Sequence, residues 1–239
     1  MMKPNHRGPL HTGIRTTTLV ATGLCLSLLA ACGSGNGGGP RIGPDGSTPI
    51  NLACQLNQID ALPLEALSTA ESDSIVFMRE EEKLARDVYL TLGNLWAPPI
   101  FDNIADSEET HMDAVKLLLD RYQLADPADG NGVGEFTNTD LQTLYDQLAQ
   151  RGATSLIEAL TVGALIEDLD IYDLQNQLDT IVDNQDIAKV WANLQKGSRN
   201  HLRSFASRLL DYGVTYVPQY ITQDEYDAII NSDYETGGC

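Results

Sequence analysis

Acidic residues are missing from the start of the chain: no Asp or Glu precedes Asp45, whereas Lys3, Arg7 and Arg15 lie before or beside an apolar run from Leu19 to Ala31. Basic residues followed by apolar ones, with no acid, are the profile of a secretory signal and not of a packed helix. The run is too short to span a bilayer comfortably. Cys-x-x-Cys pairs are also missing, which excludes an iron centre held by four closely spaced thiolates. Strand-like alternation is scarce, so the chain reads as all-α. Cations are few, with 15 Lys and Arg against 34 Asp and Glu, which argues against nucleic-acid binding and against adhesion to anionic lipid.

The apolar run ends in Leu29-Ala30-Ala31-Cys32, followed by Gly33, and resembles a bacterial lipoprotein cleavage box. Residues 1–31 are then a signal peptide, and Cys32 becomes the lipidated first residue and the contact with the membrane. Cleavage removes three of the 15 Lys and Arg and none of the 34 Asp and Glu, leaving 12 against 34 and a formal charge of −22. Gly33 is not the Asp that resembles a retention signal, so the expected location is the bacterial envelope, on the outer membrane or its periplasmic side. Gly, Pro and Ser are frequent from Gly33 to Pro49, and residues 32–56 read as a flexible tether. With Cys25 in the signal and Cys32 lipidated, Cys54 and Cys239 are left to form a disulfide in an oxidising compartment, intermolecular pairing being the alternative.

Residues 57–213 suit one domain, with 214–239 as a C-terminal extension packed on it. Ser68-x-x-Glu71 is a capping box, followed by the stripe Ile75, Met78, Glu82, Ala85, Tyr89, Leu92 and Trp96. Pro98-Pro99 opens a second helix with the stripe Ile104, Glu108, His111, Val115, Leu118 and Tyr122. Asp126 to Asn138 is a loop, and a short helix spans Asp140 to Gln150. The loop acids Asp126, Asp129 and Glu135 with Asn131 do not have EF-hand spacing. Ser155-x-x-Glu158 starts a third long helix, with the stripe Leu160, Gly163, Glu167, Asp170 or Ile171, Leu174, Leu178 and Ile181. The fourth runs from Asn184 to Gly213 with the stripe Ile187, Trp191, Leu194, Ser198, His201, Phe205, Leu209 and Tyr212, and Thr222-x-x-Glu225 caps a last short helix.

Each long stripe is thus interrupted near mid-length: by Glu82, by Glu108 with His111, by Glu167, and by Ser198 with His201. Burying three carboxylates together is costly unless cations or shared protons neutralise them. A metal pair answers that cost, because in di-iron bundles two helices each give a Glu and the other two each give Glu-x-x-His. The i, i+3 spacing puts Glu108 and His111 on one face. The alternative is a polar core in which the carboxylates share protons and bind His111, His201 and Tyr89, with Arg199 reaching in. Glu80 and Glu81 fall off the stripe and are expected in solvent.

Glu82-x-x-Ala85-x-x-x-Tyr89 followed by Glu108-x-x-His111 resembles the first half of the rubrerythrin-type ferritin-like fold. The segments Met78 to Tyr89, Gly163 to Ile171 and Ser198 to Arg203 more specifically resemble the domain of unknown function 2202. The resemblance implies a ferritin-like antiparallel four-helix bundle, with a long crossover carrying a short extra helix and with a short C-terminal helix. It implies Glu82, Glu108, His111, Glu167 and His201 as metal ligands. Ser198 stands where a complete di-iron site has its sixth ligand, a Glu, and Asp170, one turn after Glu167, is the candidate replacement. Tyr89 is near the site. The implied cofactor is iron, one or two ions, with manganese and zinc as alternatives. The implied activity is that of an oxidoreductase acting on dioxygen, peroxide or ferrous ion, with an external electron donor and a homodimer among its partners. The competing expectation is a non-enzymatic scaffold or metal store with a degenerate site.

Overall fold

The computed structural model describes residue 43 and residues 45–239, so the expected signal peptide and Cys32 lie outside the described residues. Within them the protein is all-α, with seven helices and no strand: α1 (Leu52–Asp60), α2 (Thr69–Trp96), α3 (Pro99–Tyr122), α4 (Thr139–Gly152), α5 (Leu156–Thr180), α6 (Gln185–Asp211) and α7 (Gln223–Ile230). No described helix is long and apolar enough to cross a membrane.

Local signals account for the main boundaries. Ser68 Oγ accepts from the Glu71 amide at 3.1 Å while the Glu71 carboxylate accepts from the Ser68 amide at 3.0 Å, which satisfies two of the free N–H groups at the start of α2. α2 stops at Ala97, whose φ of 59° turns the chain, and Pro99 begins α3 where a missing N–H costs nothing. The two-residue link makes α2 and α3 an antiparallel pair, and a short link does the same for α5 and α6. Between the pairs lies a long crossover that carries α4.

Across the pairs, Tyr89 meets Gly163 and Ser74 meets Gln177, so α2 and α5 run antiparallel. Tyr122 meets Asp186, and Glu108 meets His201, so α3 and α6 do too. The four long helices enclose two apolar clusters. One gathers Leu84, Val88, Phe101, Ile104, Leu160 and Phe205; the other gathers Ile75, Met78, Val115, Leu118, Leu174 and Trp191. Between them every long helix turns inward a polar residue, and this layer holds the site.

Several expectations are corrected. The tether does not extend to residue 56: the Thr48 amide donates to Ser107 Oγ and the Ile50 amide to Thr110 Oγ1, both at 2.8 Å, and α1 begins at Leu52. The reason is long-range, since Ile50 and Ile59 fill the second cluster and Cys54 is bonded to Cys239, 185 positions away. Glu80 and Glu81 are not solvated but are 2 % and 5 % exposed. Glu80 accepts from the amides of Thr137 and Asn138, at 2.5 and 3.0 Å, and so holds the start of α4. The same stretch of α2 anchors the rest of the crossover: Arg79 binds Asp126, the buried Lys83 donates to the Gly132 carbonyl and to Asp87, and Asp87 accepts from the Gly134 amide. Asp168 plays the matching part for the C-terminal extension, accepting from the Tyr216 hydroxyl and from the amides of Gln219, Tyr220 and Ile221.

Candidate metal centre

Glu108 sits at the middle of the polar layer. One of its carboxylate oxygens is 2.8 Å from His111 Nδ1 and the other is 2.8 Å from His201 Nδ1. Glu82 lies 3.4 Å from the same nitrogen of His111, and Glu167 lies 3.4 Å from the same nitrogen of His201. The imidazoles stack, with ring centroids 5.4 Å apart and planes 21° apart. The arrangement is nearly twofold: α2 and α3 supply Glu82 and His111, α5 and α6 supply Glu167 and His201, and Glu108 joins the halves. Ligand atoms of Glu108, His111 and His201 all lie within 4.8 Å of one another, so this fully buried trio can hold a metal ion.

None of the close nitrogen–oxygen pairs is a hydrogen bond. The oxygens lie off the N–H directions, and all four ring nitrogens, Glu82 Oε1 and Asp170 Oδ1 have no hydrogen-bond partner. Such vacancies are rare in buried polar groups, since each costs about 1–3 kcal/mol. Nitrogen and oxygen atoms in contact but not aimed at each other are what ligands of a shared cation present, because their lone pairs converge on the ion instead. By that criterion these residues fit a metal. One feature of many such sites is missing: neither Nε2 donates to a carboxylate or carbonyl. The ring of His111 is positioned by packing instead, against the bare backbone of Gly197, where a Cβ would stand 2.6 Å from Nε2.

Electrostatics point the same way. Burial pushes the Glu82 carboxyl up to about 7, against the pull of His111. Burial also raises Glu167 and, with the charge of Glu82, raises Asp170 well above the usual carboxylate range. Glu108, though buried, is held low by the two histidines. They in turn are raised against burial by Glu108, His201 to about 9. Without a cation the layer therefore stores protons in place of positive metal charge.

Residues 71–233 match the uncharacterized protein domain DUF2202. The chain belongs to that family. Uncharacterized protein MJ0754 of Methanocaldococcus jannaschii is 51 % identical over 182 residues, spanning 76 % of this chain and 98 % of that protein. The crystal structure of hypothetical protein MJ0754 from Methanococcus jannaschii DSM 2661 superposes with a TM-score of 0.71 at 52 % identity, covering 73 % of this chain and 99 % of that one.

In this DUF2202 chain the residues singled out in the sequence come together. Glu82, Glu108, His111, Glu167 and His201 form one cluster, and Tyr89 donates to Glu167 at 2.5 Å. Ser198 occupies the position that mirrors Glu108, and its hydroxyl donates to Asp170, which brings a carboxylate to that side from α5. Arg199 does not reach in; it pairs with Glu235 and Gln195. Sequence reasoning missed Gly197 and Glu81. Gly197 precedes Ser198 on the wall that faces His111, and no side-chain chemistry marks it. Glu81 carried a signal of sorts, one residue from Glu82 inside a run of three glutamates, but a helical stripe places it outside the central layer.

Proposed function

We propose that this protein is an envelope-anchored, ferritin-like metal protein whose Glu82, Glu108, His111, Glu167 and His201 hold iron, one or two ions, with Asp170 as a further carboxylate. The observation that carries the reading is the buried trio of Glu108, His111 and His201, whose ligand atoms lie within reach of one shared ion and whose imidazole nitrogens lack hydrogen-bond partners. Two antiparallel helix pairs joined by a long crossover, and the pattern of one Glu, then Glu-x-x-His, in the first pair, support the ferritin-like assignment. Iron in a carboxylate and imidazole setting supplies redox chemistry toward dioxygen, peroxide or ferrous ion. The protein's own part is to bind, orient and keep dry: Glu108 faces both halves, Tyr89 fixes one oxygen of Glu167, and the apolar clusters on either side exclude water. Lacking paired thiolates, an oxidoreductase of this kind draws electrons from an external donor, and lipidated Cys32 tethers it to the membrane.

Ser198 favours a second reading, a metal store or sensor without turnover, because a neutral hydroxyl neither balances charge nor bridges metals well. Both readings meet one experiment. The full-length chain, purified without added metal and then offered ferrous iron, is expected to bind one or two equivalents by elemental analysis, and Glu108→Ala or His111→Ala to abolish binding. Absence of stoichiometric binding, with the variants as stable as the parent or more so, would end the metal reading. Consumption of oxygen or peroxide by the loaded protein separates enzyme from store.

A further inference from the structure

Glu81 is a buried carboxylate that the centre does not use. It is 5 % exposed, no N–H or O–H of the fold donates to either oxygen, and its close polar neighbour is a second carboxyl, that of Asp173. The groups facing it belong to α5: Asp170 and Asp173 lie within its electrostatic reach, and Glu82 is beside it on α2. Asp173 is partly exposed and lines a surface depression of about 410 Å³ between α2 and α5. On the α2 side that depression is lined by Ala70, Asp73, Ser74 and Phe77. Glu81 continues the same face one turn deeper, since 70, 74, 77 and 81 follow helical spacing. Beyond it, Asp170 turns one oxygen to Ser198 and leaves the other without a partner. Asp173, Glu81 and Asp170 thus lie in order from the depression toward the centre, and among the described residues no Lys or Arg pairs with any of them.

We propose that Asp173, Glu81 and Asp170 form a carboxylate-only position for a divalent cation, through which metal passes from the depression between α2 and α5 to the centre. The inference rests on the metal-binding reading above. Oxygen-only ligands suit a hard or partly hydrated ion and hold it less firmly than the imidazole-containing centre, so the ion moves inward. A cleft lined by one sign of charge also concentrates counter-ions and raises on-rates. The Glu81 oxygens and Asp170 Oδ1, to which no N–H or O–H of the fold donates, become ligands in transit.

The test is stopped-flow uptake of cobalt(II) by the full-length chain, followed through the visible absorption of the bound ion. Asp173→Asn and Glu81→Gln are each expected to slow uptake by about tenfold or more, while the centre still fills at long times. Asp179→Asn removes the same charge from an exposed position further along α5 and is expected to change the rate by less than about twofold. Rates for Asp173→Asn and Glu81→Gln that match the parent, with cobalt bound, overturn the route and leave the metal centre standing. Equal slowing by Asp179→Asn overturns it too, because the effect is then one of overall charge. A parent chain that takes up no cobalt overturns the centre and the route together.

Discussion

At the residue scale, the polar layer owes its geometry as much to what is small as to what is charged. Gly197 lets His111 approach the backbone of α6, and a methyl group there would stand 2.6 Å from Nε2 and nearer still to the adjacent ring carbon. The ring is stacked on the His201 imidazole and has no hydrogen bond to swing on, so it must tilt out of its place beside Glu108. Gly197→Ala is therefore expected to lower stability by about 1–3 kcal/mol, as overpacked cores do. It should also weaken metal binding at least as severely as loss of a single ligand, read by thermal melting and by metal titration of the same samples. The glutamates and histidines of the layer were legible because each breaks an apolar stripe at matching depth. Gly197 was not, since an absent side chain declares nothing until its neighbour is known.

At the scale of elements, α2 has two jobs on two faces. Glu82 and Tyr89 point to the layer, while Arg79, Glu80, Lys83 and Asp87 point to the crossover and hold it by charge-assisted hydrogen bonds. A charged run on a helix is usually a solvated face, and that reading of Glu80 and Glu81 failed because a loop and a neighbouring helix cover them. Two backbone amides depend on Glu80 alone. Glu80→Ala should cost about 1–3 kcal/mol through those unpaired amides. It should also speed amide exchange at residues 126–138 and the first turn of α4, with little change in the interior of α5 and α6. Uniform acceleration across all helices would show instead that the crossover is not a separately held element. The long helices themselves were readable from capping boxes, prolines and stripe spacing. α1 was not, because nine residues are too few to set a stripe apart from the Gly- and Pro-rich stretch before them, and the helix depends on Asn51 at the cap and on partners far along the chain.

At the scale of the whole molecule, the layer makes the stability of the metal-free protein, and the further stabilisation by metal, depend on pH. In the metal-free protein, His201 is raised from 6.5 to about 9, so its contribution is complete below 6.5 and is lost as pH rises toward 9. Glu82 is raised from 4.5 to about 7, so the folded state binds the extra proton and loses stability as pH climbs through that window. Glu108 is held below 4.5, and its contribution disappears as pH falls into the acid range. The melting temperature in the presence of a chelator is accordingly expected to peak in mildly acidic buffer and fall steadily toward pH 9. With iron or cobalt bound, the metal displaces those protons, and the gap between loaded and metal-free protein should widen as pH rises. A gap that does not change with pH would mean that metal binds somewhere other than this layer. Overall closure of the fold is also a long-range matter: the Asn51 amide donates to the Cys239 carbonyl, and the disulfide from Cys54 ties α1 to the last residue.

By itself the sequence determined the helical class, the four long helices and their boundaries, and the identity of the glutamates and histidines of the central layer. All of these follow from short-range rules, since capping, proline placement and a period near 3.6 act within one or two turns. Only the tertiary structure decided how those side chains meet. It placed Glu108 between two histidines from different helices, set Asp170 against Ser198 from across the layer, buried Glu81 between α2 and α5, and folded residues 48–60 onto the bundle. Each of these joins positions tens of residues apart. Such contacts depend on where whole helices pack, which no local pattern encodes.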